Sequence, residues 1–405
     1  MHLLDQFADE LHEWSLHGKE PSCASRDLQY LLDLQEKRLK STGTVREEEY
    51  SHVKEEIRGC ASRSENGWSS KILYREANQN ITYIQNGKAV RKIRRPVILY
   101  ATAVDREGHE DREYVCPSCG HTMTVKQAEN GCPYCGAFFE TDDIYPCISS
   151  YYTVNAITER AGLMDRLKKE MIIIGSAAGI LIAAICLYAW QETPLLYRSI
   201  GAVLMGLLYG GVSAFIWYML RSMILLVKVF REAGKSLSMV KALRSRKKMM
   251  EFMEPYDPDF SYEAFEGRVL SLLRTIVFSD ERDTLSVYEG NGDFSSFDHI
   301  ADMQYRGAVY VRRCEADGRI LRVEGTAYLT DTYIHRTVRE KNEKIRFTIE
   351  KETDGHADPG FSIHQVVCTS CGSSFDAMHK RNCPYCGVPF DLKKKDWIVK
   401  EMYKE

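Results

Sequence analysis

The sequence predicts an α+β protein with two antiparallel-sheet domains, each with an inserted zinc ribbon, separated by a two-helix transmembrane hairpin. Three observations lead to this prediction. Two long apolar runs without charged residues lie close together in the middle of the chain. A pattern of two Cys-x-x-Cys pairs occurs once before these runs and once after them. In both flanking segments, helical spacing of apolar residues is followed by strand-like alternation, which is typical of an α+β layout.

The composition is that of a folded chain. Of the 405 residues, 44% are apolar and 27% are charged, which excludes wholesale disorder. The formal net charge of −3 argues against a protein built to bind bulk nucleic acid.

Residues 1–165 are predicted to form an N-terminal cytoplasmic α+β domain. Helices are expected at residues 3–16, 26–40 and 45–58. Strands are expected at residues 71–84, 89–104 and 149–154. The first two of these strands should form a hairpin, because Asn86-Gly87 between them is a strong turn signal.

The apolar runs at residues 171–190 and 199–220 are each long enough to cross a membrane. A helix of about 20 apolar residues spans the ~30 Å hydrocarbon core, and neither run contains a charged residue. Two buried core helices are the alternative, but charge-free runs of this length favour membrane spans. The connection at residues 191–198 is too short for a domain, so residues 166–230 are predicted to form a transmembrane hairpin.

Lysine and arginine residues predict the orientation of this hairpin. They are frequent before the first span and after the second, whereas the short connection carries only Arg198. The positive-inside rule then places both flanking parts in the cytoplasm. We therefore expect a multi-pass protein of the cell membrane with two spans and both termini cytoplasmic. The N-terminus lacks both the basic region and the apolar region of a signal peptide, so no cleavable signal peptide is expected.

Each span also carries two glycines four residues apart, Gly175 and Gly179 in the first and Gly206 and Gly210 in the second. Such pairs let helices approach closely, either within the hairpin or between the subunits of a homo-oligomer. Residues 231–255 are predicted to form a basic juxtamembrane helix, which either contacts the anionic leaflet or is a solvated connector.

Residues 256–405 are predicted to form the C-terminal α+β domain. A helix is expected at residues 261–277 and short helical segments between residues 280 and 303. Strands are expected at residues 305–314, 320–329, 345–350 and 397–402. Asp317-Gly318 predicts the turn between the first two strands. Because both domains place a cysteine-rich insert before the final strand, the pattern indicates an approximate internal duplication.

The two inserts, at residues 116–136 and 368–387, are predicted to be zinc ribbons. Eight of the thirteen cysteines lie in them. The expected metal ligands are Cys116, Cys119, Cys132 and Cys135 in the first ribbon, and Cys368, Cys371, Cys383 and Cys386 in the second. Four thiolates complete a tetrahedral zinc site and leave no position for water or substrate, so two structural zinc ions are expected. Iron, reduced thiols and a redox Cys-x-x-Cys pair are the alternatives.

The histidines near the inserts are expected to be surface residues, because each ribbon already offers four thiolates. They are His109, His121, His356 and His379.

The C-terminal half resembles a known family. A membrane span, a basic helix, Asp257-Pro-Asp-Phe260 before a helix, an antiparallel sheet and Trp397 near the final strand occur in this order. In this arrangement, residues 252–405 resemble the membrane-docking domain of the Tim-type mitochondrial import-motor scaffold and its bacterial relatives, some with a zinc ribbon before the final strand. The resemblance implies a cone-like fold similar to cystatins and nuclear transport factor. It also implies membrane association and binding of a protein or lipid in a concave pocket, without a reaction.

No catalytic motif is apparent in the sequence. Walker-type phosphate loops, Gly-x-Gly-x-x-Gly, His-Glu-x-x-His and Gly-x-Ser-x-Gly are absent from it. The expected function is therefore that of a non-enzymatic membrane scaffold or transport-associated protein with a protein or lipid partner. One alternative is an enzyme or regulatory subunit with an unrecognised pocket. Another is nucleic-acid binding through the ribbons, using residues 91–95 or 393–395.

Overall fold

The structure is a computed structural model of the chain. It describes residues 2–52, 57–108, 113–116, 119–124, 127, 132–136, 145–155, 160–192, 194–233, 237–335, 337–355, 359–364 and 366–405. The chain divides into two compact units. We call Met1–Ala156 with Lys241–Glu405 the mixed unit and Ile157–Val240 the helical unit.

Six α-helices are assigned in the described residues. They are α1 (Leu3–His17), α2 (Arg26–Ser41), α3 (Arg160–Ala189), α4 (Leu195–Ala233), α5 (Leu237–Met253) and α6 (Tyr262–Phe278). Helices α2 and α6 begin at serine caps. The Ser25 side chain accepts a hydrogen bond from the Leu28 N–H, and the Ser261 side chain accepts one from the Ala264 N–H. These bonds satisfy backbone donors that a helix start leaves without partners.

Two larger antiparallel sheets lie in the mixed unit. The first contains β1 (Thr44–His52), β2 (Arg58–Glu65), β3 (Trp68–Gln85), β4 (Lys88–Arg106) and β7 (Cys147–Asn155). The second contains β8 (Ile300–Asp317), β9 (Ile320–Ile334), β10 (Val338–Glu352) and β13 (Ile398–Lys404). Two small hairpins belong to the inserts: β5 (Glu113–Val115) with β6 (Thr122–Thr124), and β11 (Val366–Val367) with β12 (Ser374–Phe375). The chain is thus a mixed α/β protein with two antiparallel sheets.

The two sheets repeat one topology. Strands β1 and β2 pair with successive parts of β3, so together they occupy the place that β8 has beside β9. The order β1/β2–β3–β4–β7 then corresponds to β8–β9–β10–β13. Two helices precede each sheet, and each cysteine-rich insert lies between the third and fourth strands of this order. This correspondence supports the interpretation of an internal duplication.

The two halves share one hydrophobic core. The same cluster of buried side chains contains Phe7 and Leu99 from the first half and Val269 and Phe347 from the second. The sequence predicts separate domains at residues 1–165 and 256–405, whereas residues 1–156 and 256–405 lie in one compact unit. Periodicity identifies which face of a helix or strand is apolar, but it does not identify the element that covers that face.

The helix expected at residues 45–58 is wrong, because β1 and the start of β2 lie there. Every second residue of β1 is buried. These buried residues include the charged Arg46 and Glu48, followed by Tyr50. The buried face of this strand is therefore mostly polar. The alternation of buried residues along β1 therefore does not show as an alternation of apolar residues in the sequence, and the segment was predicted to be a helix.

The helical unit consists mainly of α3 and α4, which run antiparallel. At one end, the Glu170 carboxylate accepts hydrogen bonds from Nε and Nη2 of Arg221, both at 3.1 Å, and from Nε1 of Trp217 at 3.3 Å. Both helices are long and apolar enough to cross a membrane, over Leu167–Ala189 and Leu195–Ile224.

The four span glycines pack against one another within the chain. A Cβ atom on Gly179 would lie 2.7 Å from the carbonyl oxygen of Gly206, and one on Gly210 would lie 2.6 Å from that of Gly175. Real Cβ atoms do not approach backbone oxygen so closely, so only glycine permits this helix separation. Packing within the hairpin, one of the two uses expected for these glycines, is therefore present in the structure.

Candidate metal centres and a polar cavity

The structure brings the eight cysteines of the inserts into two groups of four. Within each group, every Sγ atom lies within 4.8 Å of the others. The Sγ atoms of Cys116 and Cys135 are 3.7 Å apart, and those of Cys368 and Cys386 are 3.6 Å apart. Tetrahedral zinc with Zn–S bonds of about 2.3 Å needs S–S separations of roughly 3.8 Å. Both groups therefore have the size of a four-thiolate metal site, compatible with two structural metal ions.

Backbone turns place the sulfurs of each Cys-x-x-Cys pair on one side. In every pair, the glycine after the second cysteine has a positive φ, and its N–H donates to the carbonyl of the first cysteine. The φ angles are 74° at Gly120, 68° at Gly136, 73° at Gly372 and 73° at Gly387. The corresponding N···O distances are 2.8 to 2.9 Å. Because side chains other than that of glycine are strained at such φ values, these glycines support the ligand geometry.

Hydrogen bonds also stabilise thiolate sulfur in the second group. The Ser373 hydroxyl and the Ser373 backbone N–H both donate to the Cys371 sulfur and lower the pKa of this thiol to about 6. Donors of this kind favour the ionised form, which is the form that ligates metal.

The two groups differ in how they join the rest of the protein. Cys368 and Cys383 belong to the main hydrophobic core together with Phe375 and Met378. The first group instead forms a small separate cluster of Cys116, Met123 and Cys132. The second insert is thus part of the core of the mixed unit, whereas the first has a core of its own.

Polar contacts attach the second insert to α2. The Asp27 carboxylate accepts hydrogen bonds from the Ser362 hydroxyl at 2.6 Å and from the Ile363 N–H at 3.1 Å. The Tyr30 hydroxyl lies 3.0 Å from Nε2 of His379, whose Nδ1 lies 2.9 Å from the Thr284 hydroxyl.

The described histidines next to the inserts lie outside both four-cysteine groups. His379 bridges α2 and the second half of the mixed unit, and the His121 ring stacks on Tyr134 at 5.4 Å between centroids. His109 and His356, which were also expected at the surface, lie outside the described residues.

Basic residues proposed for nucleic-acid binding make ion pairs inside the mixed unit. Arg91 pairs with Glu340 at 2.6 Å, and Lys393 pairs with Glu289 at 3.0 Å. Arg95 donates to the Gln79 side chain at 2.8 Å. These three cations are therefore already bound to acceptors of the same chain.

A second candidate site is a cavity of about 460 Å³ in the mixed unit. Its walls come from β2, β3 and β7, from α5, from the first turns of α2 and α6, and from Lys351 at the end of β10. Sequence reasoning missed this site, because its residues are distant in the chain and match no local motif. A signal that could have pointed to it is Lys351, a lysine at the position that continues the alternation of Ile345, Phe347 and Ile349.

Comparison with protein families, with curated proteins and with solved structures finds no match for this chain. Fold and sites therefore define its class: a mixed α/β protein with two four-cysteine groups and two apolar helices. The resemblance of residues 252–405 to the import-scaffold domain stays a prediction.

Proposed function

We propose that this protein is a membrane-anchored scaffold, stabilised by two zinc ions, that binds a protein or lipid partner at the cytoplasmic face of the cell membrane. The exposed apolar surface of the helical unit carries this proposal. Ile172, Leu181 and Leu207 are 68%, 62% and 71% exposed, respectively. A surface of such residues is unfavourable in water, and the hydrocarbon core of a bilayer removes that cost.

The connectivity supports two spans with both flanks on one side. The segments before and after the helical unit belong to one compact unit with one core. A bilayer cannot separate two halves that share a core, so the chain has to cross an even number of times. Two antiparallel helices meet this requirement, and the excess of Lys and Arg outside their short connection favours the cytoplasm for the mixed unit.

The four-cysteine groups support a structural role for zinc. Four thiolates fill a tetrahedral coordination sphere, so the ion has no open position for catalysis. Structural zinc sites can contribute roughly 10–16 kcal/mol of apparent binding free energy to folding at neutral pH. Since the inserts are small, we propose that their metal holds them folded and does no chemistry.

The partner is proposed on the resemblance of residues 252–405 to import-motor scaffolds, whose domain binds protein or lipid. The same resemblance is the reason for including a transport-associated role. An enzyme or regulatory subunit is the second candidate, and the polar cavity is the observation that favours it. The ion pairs of Arg91 and Lys393 count against the nucleic-acid alternative.

Membrane topology is tested by labelling thiols in intact cells. Cys60 is exposed and lies outside both four-cysteine groups. A membrane-impermeant maleimide should label it only after the cells are permeabilised, and the Cys60→Ser variant identifies the signal. Labelling of Cys60 in intact cells would place the mixed unit outside and contradict the proposal.

The scaffold role is tested by crosslinked affinity purification of the full chain from native membranes, with metal measured on the same sample. We expect two zinc ions per chain. Cys371→Ser should lose one ion together with the partner, whereas the control Cys60→Ser should keep both. Recovery of the same partner from metal-free protein would contradict the role of the metal in partner binding. Iron in place of zinc would contradict the identity of the metal.

A further inference from the structure

The polar cavity of the mixed unit holds a cation that its own surroundings leave without a partner. Three arginines on its walls each have a carboxylate neighbour. Their ion pairs are Arg63 with Asp257 at 3.2 Å, Arg246 with Glu263 at 2.6 Å and Arg268 with Asp396 at 2.5 Å. Lys351 also lines the cavity, but within the part of the chain that the structure describes it forms no ion pair or hydrogen bond.

Further donors on the same walls have unused hydrogen-bonding capacity. The Nε atoms of Arg63 and Arg268 are buried and have no acceptor among the described residues. A buried donor without an acceptor is unfavourable. Lys351 is therefore the wall cation whose charge is available to an incoming ligand, while Arg63 and Arg268 already hold carboxylates through their other nitrogens.

The remaining wall carries groups that favour anions beside two further carboxylates, Asp27 and Asp259. The first turns of α2 and α6 both border the cavity, at Ser25 and Ser261. A helix start carries a partial positive charge that favours anions. Hydroxyl groups of Ser62 and Ser70 add further donors. A volume of about 460 Å³ is in the range of small-molecule sites.

We propose that this cavity binds a small phosphate-bearing anion, with Lys351 as the cation that binds it and the hydroxyl groups of Ser62 and Ser70 as additional donors. Phosphate offers oxygen acceptors in several directions, which suits a lysine and serine hydroxyls. This site is independent of the proposed membrane anchor and of the metal groups. The phosphate belongs either to a soluble phosphate ester or to a lipid headgroup, and the experiment separates these sources.

The charge state of Lys351 gives a direct reading of occupancy. Burial lowers the pKa of its ammonium group, Asp396 and Asp257 partly oppose this effect, Arg63 lowers the pKa further, and Glu65 raises it. A bound anion adds negative charge beside the amine. Binding should therefore raise the Lys351 pKa.

The test uses the full chain in detergent micelles with its lysines reductively ¹³C-methylated. Lys351→Arg assigns the resonance of Lys351, and the pH titration is repeated with sodium phosphate, glycerol 3-phosphate or sodium chloride at equal ionic strength. Phosphate compounds should raise the Lys351 pKa, while chloride should leave it unchanged. The proposal is overturned if chloride raises the Lys351 pKa as much as phosphate does. It is also overturned if no phosphate-bearing probe, soluble or lipid, raises this pKa. This measurement on the native cavity stays valid even if a neutral variant does not fold.

Calorimetry provides the matched comparison. Lys351→Met should weaken glycerol 3-phosphate binding at least tenfold, whereas Lys394→Met, at an exposed lysine outside the cavity, should bind as the wild type does. Nanodiscs of phosphatidylcholine with and without phosphatidylglycerol form the lipid arm. A Lys351 response to the anionic nanodiscs alone assigns the ligand to a headgroup, and a response to soluble phosphates assigns it to a phosphate ester. Acetate binding as tightly as phosphate would overturn the assignment to phosphate.

Discussion

Removing the positive charge of Arg46 should strongly destabilise the mixed unit. The Arg46 guanidinium lies between two carboxylates, with Nη1 at 2.7 Å from Glu48 and Nη2 at 3.2 Å from Asp302. The side chains of Arg46 and Glu48 are only 4% and 1% exposed. Arg46→Met keeps much of the apolar volume but leaves both acids buried without their cation. Breaking a buried ion pair in this way costs about 3–5 kcal/mol.

The pH dependence of this loss follows from Asp302. Burial raises the pKa of Asp302, but Arg46, Arg274 and Arg95 lower it more, so the pKa lies below its ordinary value. In the wild type, this carboxylate contributes stability above its ordinary pKa and loses the contribution as the pH falls through the lowered pKa. Without Arg46 the acid titrates at higher pH. The difference between variant and wild type should therefore be largest near pH 7 and shrink towards pH 4.

Urea unfolding of the full chain in micelles, followed by hydrogen exchange of β1 and β8, measures this difference. Lys37→Ala is the control, since its pair with Asp33 is at the surface and should contribute less than about 1 kcal/mol. Adding Asp302→Asn to Arg46→Met should restore part of the stability. A loss below about 1 kcal/mol at pH 7, or no restoration, would refute the argument that burial sets the energy of this contact.

Three further predictions concern other parts of the molecule. Burial raises the pKa of Asp331 to about 8, so its charge opposes folding increasingly as the pH rises from about 4 to 8. In thermal unfolding, Asp331→Asn should therefore raise the free energy of unfolding by on the order of a few kcal/mol at pH 8 and leave it unchanged at pH 4. Cys371→Ser should lower protection of the main core in hydrogen exchange, while Cys119→Ser should affect only the first insert, and equal effects would contradict the separation of their cores. Gly179→Leu should loosen the packing of α3 and α4 to limited proteolysis in micelles, and Gly211→Leu, where a side chain meets open space, should not.

Local signals predicted the hairpins and the metal groups well. The strands β3 and β4 are joined by Asn86 and Gly87, whose φ angles of 51° and 72° are those that Asn-Gly favours in a two-residue turn. Each Cys-x-x-Cys pair fixes its own turn, which directs its two sulfurs to one side. In both cases, a few adjacent residues determine the geometry.

Features that depend on distant residues were not predictable in this way. The buried face of β1 is polar because Asp302, more than 250 positions away in sequence, pairs with Arg46. The cavity around Lys351 forms only when strands of the first half meet helices of the second. Neither contact leaves a periodic pattern, so the sequence carried no sign of which half would cover the other.

The repeated topology explains why a buried polar contact joins the halves. Two halves with the same strand order and apolar faces could pair with the corresponding halves of another copy, since apolar burial alone selects weakly among similar surfaces. The Arg46–Asp302 contact is asymmetric, because the first half supplies the cation and the second supplies the acid. A misplaced pairing would leave both charges buried without partners, at a cost of several kcal/mol. The contact therefore favours the pairing of the two different halves.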